Sequence, residues 1–325
     1  MKPNSKAARV APTRRVILLG PQRLHPTLIH AVDSLKVDGR IAAVTAGWEE
    51  REGEDQELSA HLGGRTVNLR IWERGEDVYG RDKELHAAVR ERNEKLRVLQ
   101  ELYQLRLGHL LSAAEAILAR GLPPGLQSMY QQECESAIEA VRTLDREHLL
   151  RIQDQYLMFE ERWKPFEREH VARHREELKR VLADCAIVCV AGGHVSILLR
   201  RLRLFGFAHL LRDQALIAWS AGAMAVSERV VLFHDDPPQG SGSAEVYEAG
   251  LGLAAGIVPL PHADKRLDLG NRRRVALHSR RFAPDLCVAL PPRTRIDFEA
   301  GRWTTQAGTR LLHAGGELRE LEPAT

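Results

Sequence analysis

Apolar residues along this chain follow two rhythms, and the change between them divides it. Near the start they form short unbroken runs: Arg15-Val-Ile-Leu-Leu-Gly20, Arg40 to Ala46 and Thr66 to Trp72. Runs of this length read as strands buried on both faces of a parallel sheet. Leu28 to Leu35 and Glu54 to Leu62 between them read as helices. Strand–helix alternation of this kind predicts a three-layer, largely parallel, doubly wound α/β sheet.

From about Gly80 to Ala183 the rhythm becomes helical. Leu96, Leu99, Tyr103, Leu107, Leu110, Ala114 and Ile117 recur at steps of three and four, as do Ile138, Val141, Leu144, Ile152, Tyr156, Phe159 and Trp163. Gly121-Leu-Pro-Pro-Gly125 breaks the two stripes apart, and Pro165 ends the second. The pattern predicts a long antiparallel helical hairpin inserted into the α/β domain. Alternation then resumes. Ala186 to Gly193 reads as a strand and Ile197 to Arg212 as a helix. Ala215-Leu-Ile is a strand leading to Ser220, followed by further strands at Ile257 to Leu260 and Asp285 to Leu290. Ile296 to Leu321 turns often and suggests a small antiparallel edge. The expected divisions are a disordered tail over 1–13, the N-terminal half of the α/β domain over 14–79, the helical insertion over 80–183, and the C-terminal half, carrying the site, over 184–325.

Composition narrows the class. The chain has 325 residues, 44% apolar and 28% charged, with a formal net charge of +3. That balance is globular, and too weakly basic to point to nucleic acid. The clusters Arg272-Arg273-Arg274 and Arg280-Arg281 can still serve an acidic substrate. Val16 to Leu19 is too short for a signal peptide and nothing approaches a membrane span, so a cytoplasmic protein is expected. Cys134, Cys185, Cys189 and Cys287 lack metal-ligand spacing, and Cys185 and Cys189, on an apolar strand-like run, read as buried free thiols. His170 and His174 have ligand spacing on a helix, but with Glu and Arg neighbours and no third ligand they read as a solvated face.

The chemistry lies in Ala218-Trp-Ser-Ala-Gly-Ala223. A serine flanked by small residues, between a buried strand and a helix, is how α/β enzymes present a nucleophile. A serine hydroxyl needs a base, normally a histidine oriented by a carboxylate, and N–H donors for the oxyanion. Gly192-Gly193 ends an adjacent strand, His262 ends another after Pro259-Leu260-Pro261, and Asp235 and Asp236 lie between Ser220 and His262. His262 follows Ser220 by 42 residues, too few for the further strand–helix units of an ordinary α/β-hydrolase.

Three ordered blocks resemble the dipeptidase E and cyanophycinase family of serine peptidases. They are Gly192-Gly193-His194 with Leu198-Leu199 and Gly206, then Trp219-Ser220-Ala221-Gly222-Ala223, then Gly250-Leu-Gly-Leu253 with Pro261-His262. The resemblance implies a class I glutamine-amidotransferase-like fold; an amidotransferase proper would carry cysteine at position 220. It implies Ser220 as nucleophile, His262 as general base, Asp235 as triad acid, and the N–H groups of Gly193 and Ala221 as oxyanion hole. Asp236, Glu245, Glu248 and Asp264 are alternatives for the acid. His194 stands where the family usually has Asn, Asp or Gln, and is a specificity residue or a surface histidine. Arg266 is a substrate-carboxylate clamp or one half of a surface ion pair. Asp268 replaces an arginine of the cyanophycinase-like series. The expected function is therefore hydrolysis of a peptide or isopeptide bond through an acyl-enzyme, with no cofactor and no metal. The alternatives are an inactive binding or scaffold module working through the insertion, and an amidohydrolase acting on a small amide. A homodimer or protein partner on the helical insertion completes the expectations.

Overall fold

The computed structural model describes residues 15–120, 125–234, 242–305 and 309–321. The tail expected over 1–13 therefore lies outside the described residues. In chain order the elements are β1 (Val16–Leu19), α1 (Leu28–Ser34), β2 (Arg40–Val44), α2 (Gln56–His61), β3 (Thr66–Asn68) and α3 (Ile71–Arg81). There follow α4 (Lys83–Ala119), α5 (Gln127–Trp163), α6 (Glu169–Ala183), β4 (Cys185–Val190), α7 (Val195–Leu204), β5 (Ala215–Trp219) and α8 (Ala221–Val226). The chain continues through β6 (Arg229–Leu232), β7 (Glu245–Ala249), β8 (Ile257–Pro261), α9 (Ala263–Arg266), α10 (Arg272–Phe282), β9 (Leu286–Leu290), β10 (Arg295–Glu299), β11 (Arg302–Thr305), β12 (Arg310–Leu312) and β13 (Leu318–Glu320).

A seven-stranded sheet in the order β11-β10-β1-β5-β4-β2-β3 forms the centre. Its strands β1 to β5 are mutually parallel, and β10 and β11 add an antiparallel edge. Side chains alternate strictly across it. Leu216 and Ala218 enter the core under α3, α6, α7 and α8, whereas Ile217 and Trp219 face α1 and α2. Both faces are thus covered, which is why the strands read as continuous apolar runs. A second sheet, β13-β12-β9-β8, has β8 and β9 parallel, and β6 and β7 form a separate antiparallel pair. The C-terminal segment does not form one edge: β10 and β11 join the central sheet, and β12 and β13 join the second.

Two expected elements end early. The run Thr66 to Trp72 leaves strand conformation after Asn68, and α3 starts at Ile71. The fully buried Glu52 carboxylate accepts the N–H groups of Trp72 (3.0 Å) and Glu73 (2.9 Å) and so caps α3 from a distant loop. The helix expected over Ile197 to Arg212 stops at Leu204, and Gly206 turns the chain at φ 55°.

Helices α4 and α5 have 37 residues each, about 55 Å at the usual rise, and pair antiparallel. Asp82 caps α4 by accepting the Leu85 N–H at 2.9 Å. The predicted stripe is buried at Leu96, Tyr103, Leu107, Ala114, Ile138, Val141, Leu144, Ile152, Tyr156 and Phe159. Much of it shares one apolar cluster with Val230, Val246, Val258 and Phe282 of the α/β body. No helix among the described residues is long and apolar enough to cross a membrane.

Candidate active site

Register brings three loops to one edge of the central sheet. Val44, Val190 and Ala218 are neighbours across β2, β4 and β5. The segments that follow, around Gly47, around Gly192-Gly193 and at Ser220, therefore emerge side by side at the carboxyl ends of parallel strands. This is where open α/β sheets bind ligands.

Ser220 has φ 50° and ψ −126°, a pair that a side-chain-bearing residue adopts only under constraint. It directly precedes α8, so the turn aims the serine away from the sheet at a helix start. The space around it explains its small neighbours. A Cβ on Gly192 would lie 2.7 Å from the Ser220 Cβ. Gly193 has φ 120°, and a Cβ there would lie 2.2 Å from the Gly47 carbonyl oxygen. The His194 N–H donates to that same oxygen at 2.8 Å, which locks the glycine turn to the loop after β2. Neither the Gly193 nor the Ala221 N–H finds an acceptor among the described residues. The Ala221 nitrogen lies 3.4 Å from the position a Gly192 Cβ would take. Two unfilled donors therefore flank the serine turn, an arrangement suited to a developing oxyanion.

His262 ends β8 in the left-handed region (φ 58°, ψ 28°), and its N–H donates to Leu290 O at 3.2 Å. Helix α8, which starts at the residue after Ser220, packs on β8 and so joins the serine and histidine elements. The Ser220 hydroxyl and the His262 ring make no hydrogen bond among the described residues. Catalytic hydrogen bonds are often long before substrate binds. Half-burial of the ring and the nearby Arg266 guanidinium hold the imidazole below its ordinary pKa, with Asp264 acting in opposition. The ring is thus neutral at pH 7, the form a general base requires.

The candidate acids separate. Asp235 and Asp236 lie outside the described residues. Glu248 is buried, accepts the Tyr156 hydroxyl and pairs with Arg203 at 3.3 Å, so its oxygens are committed elsewhere. Glu245 accepts from Gln104 Nε2 at 2.5 Å. Asp264, exposed on α9, acts electrostatically on His262. His194 is exposed and caps α7, its Nδ1 facing the Ile197 N–H (3.5 Å) and Ser196 Oγ (3.1 Å). The exposed Arg266 side chain has no partner among the described residues, so it is free to meet a substrate carboxylate.

The expectation of a solvated histidine face on α6 is corrected. His174 is buried, its Nε2 against Asp77 Oδ2 (2.8 Å) and its Nδ1 against Arg74 Nη1 (2.8 Å), because α3 packs over it. Among the described residues no three potential ligands converge on a metal site. All four cysteines are free and buried. One residue escaped the sequence reading. Glu49, after β2, has φ 59° and ψ −127°, nearly the backbone pair of Ser220, in the turn whose Gly47 packs on Gly193. Only its place beside small residues, Ala46-Gly47, hinted at a tight turn.

Residues 145–284 match the model of Peptidase family S51, a span that contains Ser220 and His262. No curated protein matches the chain. Among solved structures, a peptidase from an acI-B1 Actinobacterium aligns over 96% of each chain at 12% identity and TM-score 0.47. A peptidase E-type protein of Listeria monocytogenes EGD-e aligns over 40% of this chain and 64% of its own, at 18% identity and TM-score 0.28.

Proposed function

We propose that this chain is a serine peptidase that cleaves a peptide or isopeptide bond through an acyl-enzyme on Ser220, a reading supported by the match of residues 145–284 to the model of Peptidase family S51. The observation that carries the reading is the constrained backbone of Ser220 at the end of β5, flanked by the N–H groups of Gly193 and Ala221, which find no acceptor among the described residues. The Ser220 Oγ attacks the scissile carbonyl while the neutral His262 ring takes its proton. The N–H groups of Gly193 and Ala221 hold the resulting oxyanion. Losing one such donor typically costs about a hundredfold to a thousandfold in turnover. Collapse of the intermediate breaks the C–N bond, and His262 returns the proton to the leaving amine. Water, deprotonated by the same ring, then attacks the serine ester and releases the acid product. Asp235, or Asp264 on α9, orients the imidazole. Arg266 holds a carboxylate of the substrate.

The test uses a small fluorophosphonate probe with intact mass as readout, followed by peptide and isopeptide libraries. Wild type is expected to take up one adduct and Ser220→Ala none, with hydrolysis falling by several orders of magnitude. Equal hydrolysis by the two proteins would overturn the proposal.

A further inference from the structure

The hairpin meets the α/β body through a buried polar network. Arg281 of α10 is 3% exposed; its Nε donates to Asp145 Oδ2 at 2.7 Å and its Nη2 to Asp145 Oδ1 at 2.8 Å. The same Nη2 donates to the Tyr103 hydroxyl at 2.8 Å, and that hydroxyl donates to Asp145 Oδ1, also at 2.8 Å. Asp145 belongs to α5 and Tyr103 to α4, so all three helices meet here.

What the network grips is backbone. Arg281 Nη1 donates to Ala244 O at 2.6 Å, and the Val246 N–H donates to the Tyr103 hydroxyl at 3.0 Å. Gln100, itself bonded to His148 at 2.8 Å, donates to Val246 O at 3.4 Å. Arg274 Nη2 donates to Gly242 O at 2.9 Å. Residues 242–246 are thus held at three successive alternate positions. They end the stretch between β6 and β7, in whose sequence Asp235 and Asp236 fall, and begin β7. A cavity of 40 Å³ is lined by Arg281 together with Ser243, Ala244, Leu267, Leu269 and Leu111 of α4. Leu267 directly follows α9, the short helix that begins after His262.

We infer that Tyr103 and the Asp145–Arg281 pair are positioning residues for the proposed peptidase site, setting the 242–246 segment and the α9 loop relative to Ser220. The helical hairpin is then a working part of the catalytic apparatus. The inference rests on the peptidase reading above. Without the hairpin, Arg281 would be left as an uncompensated charge and the Val246 N–H would lose its acceptor.

The experiment measures the kinetics of Ser220 labelling by a fluorophosphonate in the full chain, separating the maximal inactivation rate from the probe's half-saturation. Tyr103→Phe removes one hydroxyl and keeps the ring stacked on His148; Asp145→Asn is the second variant. Arg106→Gln, which breaks an exposed α4–α5 ion pair with Glu147, is the control. The expected result is a maximal rate about tenfold to a hundredfold lower in Tyr103→Phe, with half-saturation, far-UV circular dichroism and melting cooperativity retained and the control unchanged. Equal rates in wild type and a folded Tyr103→Phe would overturn the inference while leaving the peptidase reading intact. Slower labelling seen only where the melt is also lost would reduce the network to a fold support and overturn it too. Failure of wild type itself to label would instead remove the peptidase reading, and the inference with it.

Discussion

Around Ser220 the support is backbone against backbone. Gly192 lies where a Cβ would come 2.7 Å from the serine Cβ, and Gly193 lies where one would come 2.2 Å from a carbonyl oxygen. Around residues 242–246 the support is side chain to backbone, through Tyr103, Arg274 and the buried Asp145–Arg281 pair. The first kind tolerates no added atom, but it contains nothing that titrates. The second spans three helices and adjusts more easily to a changed shape, yet it depends on charges held out of water. The serine turn is therefore fixed by exclusion and the 242–246 segment by electrostatics, and each half has its own way of failing.

The largest effect is expected in the electrostatic half. Asp145→Ala leaves the Arg281 guanidinium buried without its counter-charge, a change that costs about 3–5 kcal/mol. Urea unfolding of the variant checks this. Replacing both partners, Asp145→Leu with Arg281→Met, should recover most of the loss, because an apolar pair carries no desolvation penalty. In the steric half, Gly192→Ala must displace the serine turn. Overpacking of this kind costs about 1–3 kcal/mol, and labelling of Ser220 by a fluorophosphonate should disappear even where the protein stays folded. Full labelling of Gly192→Ala would show that the turn is looser than its contacts imply.

The two halves also differ in how far they can be read from residues alone. The strands and the serine turn announce themselves locally: unbroken apolar runs for a sheet covered on both faces, and small residues wherever backbone crowds backbone. The three blocks that resembled dipeptidase E lie largely within the span that matches family S51. The start of α3 was not readable, because its cap is a carboxylate from the loop between β2 and α2. His174 read as solvated because Arg74 and Asp77, which bury it, lie about a hundred residues earlier. The Asp145–Arg281 pair joins positions 136 residues apart. A signal for it was nevertheless present. The buried period of α5 runs through 141, 145, 148 and 152, so Asp145 and His148 occupy core positions in an otherwise apolar stripe. A charged residue at such a position calls for a partner across the interface.

Acid should expose the electrostatic half first. Burial lowers the pKa of His148 to about 4 and that of His278 to about 3. Both histidines line the hairpin–body seam, and the His278 Nε2 is buried without a hydrogen-bond partner among the described residues. In the unfolded chain each takes up a proton near pH 6.5, whereas in the folded chain it does not. The unfolded state therefore binds more protons below that pH. Stability is fully present above about pH 6.5 and falls as pH drops toward 4. Melting temperatures across that window check the decline, and His278→Leu should flatten it. An unchanged slope in that variant would mean that the ring is already protonated in the folded protein.

The smallest effect bears on the proposed base. The His262 ring is held below its ordinary pKa first by partial burial and next by Arg266, with Lys265 adding to the depression and Asp264 opposing it. Labelling of Ser220 requires the neutral ring, so the acid limb of the rate should lie below pH 6.5. Arg266→Gln removes a positive charge that disfavours the imidazolium, which moves the limb upward, while Asp264→Asn moves it downward. Because α9 is exposed, salt screens both changes, and they should shrink as ionic strength rises. If burial alone set the ring, neither substitution would shift the limb, and the histidine side would then be governed by exclusion in the same way as the serine side. A pH series of labelling rates at low and high salt separates the two cases, because exclusion does not respond to salt.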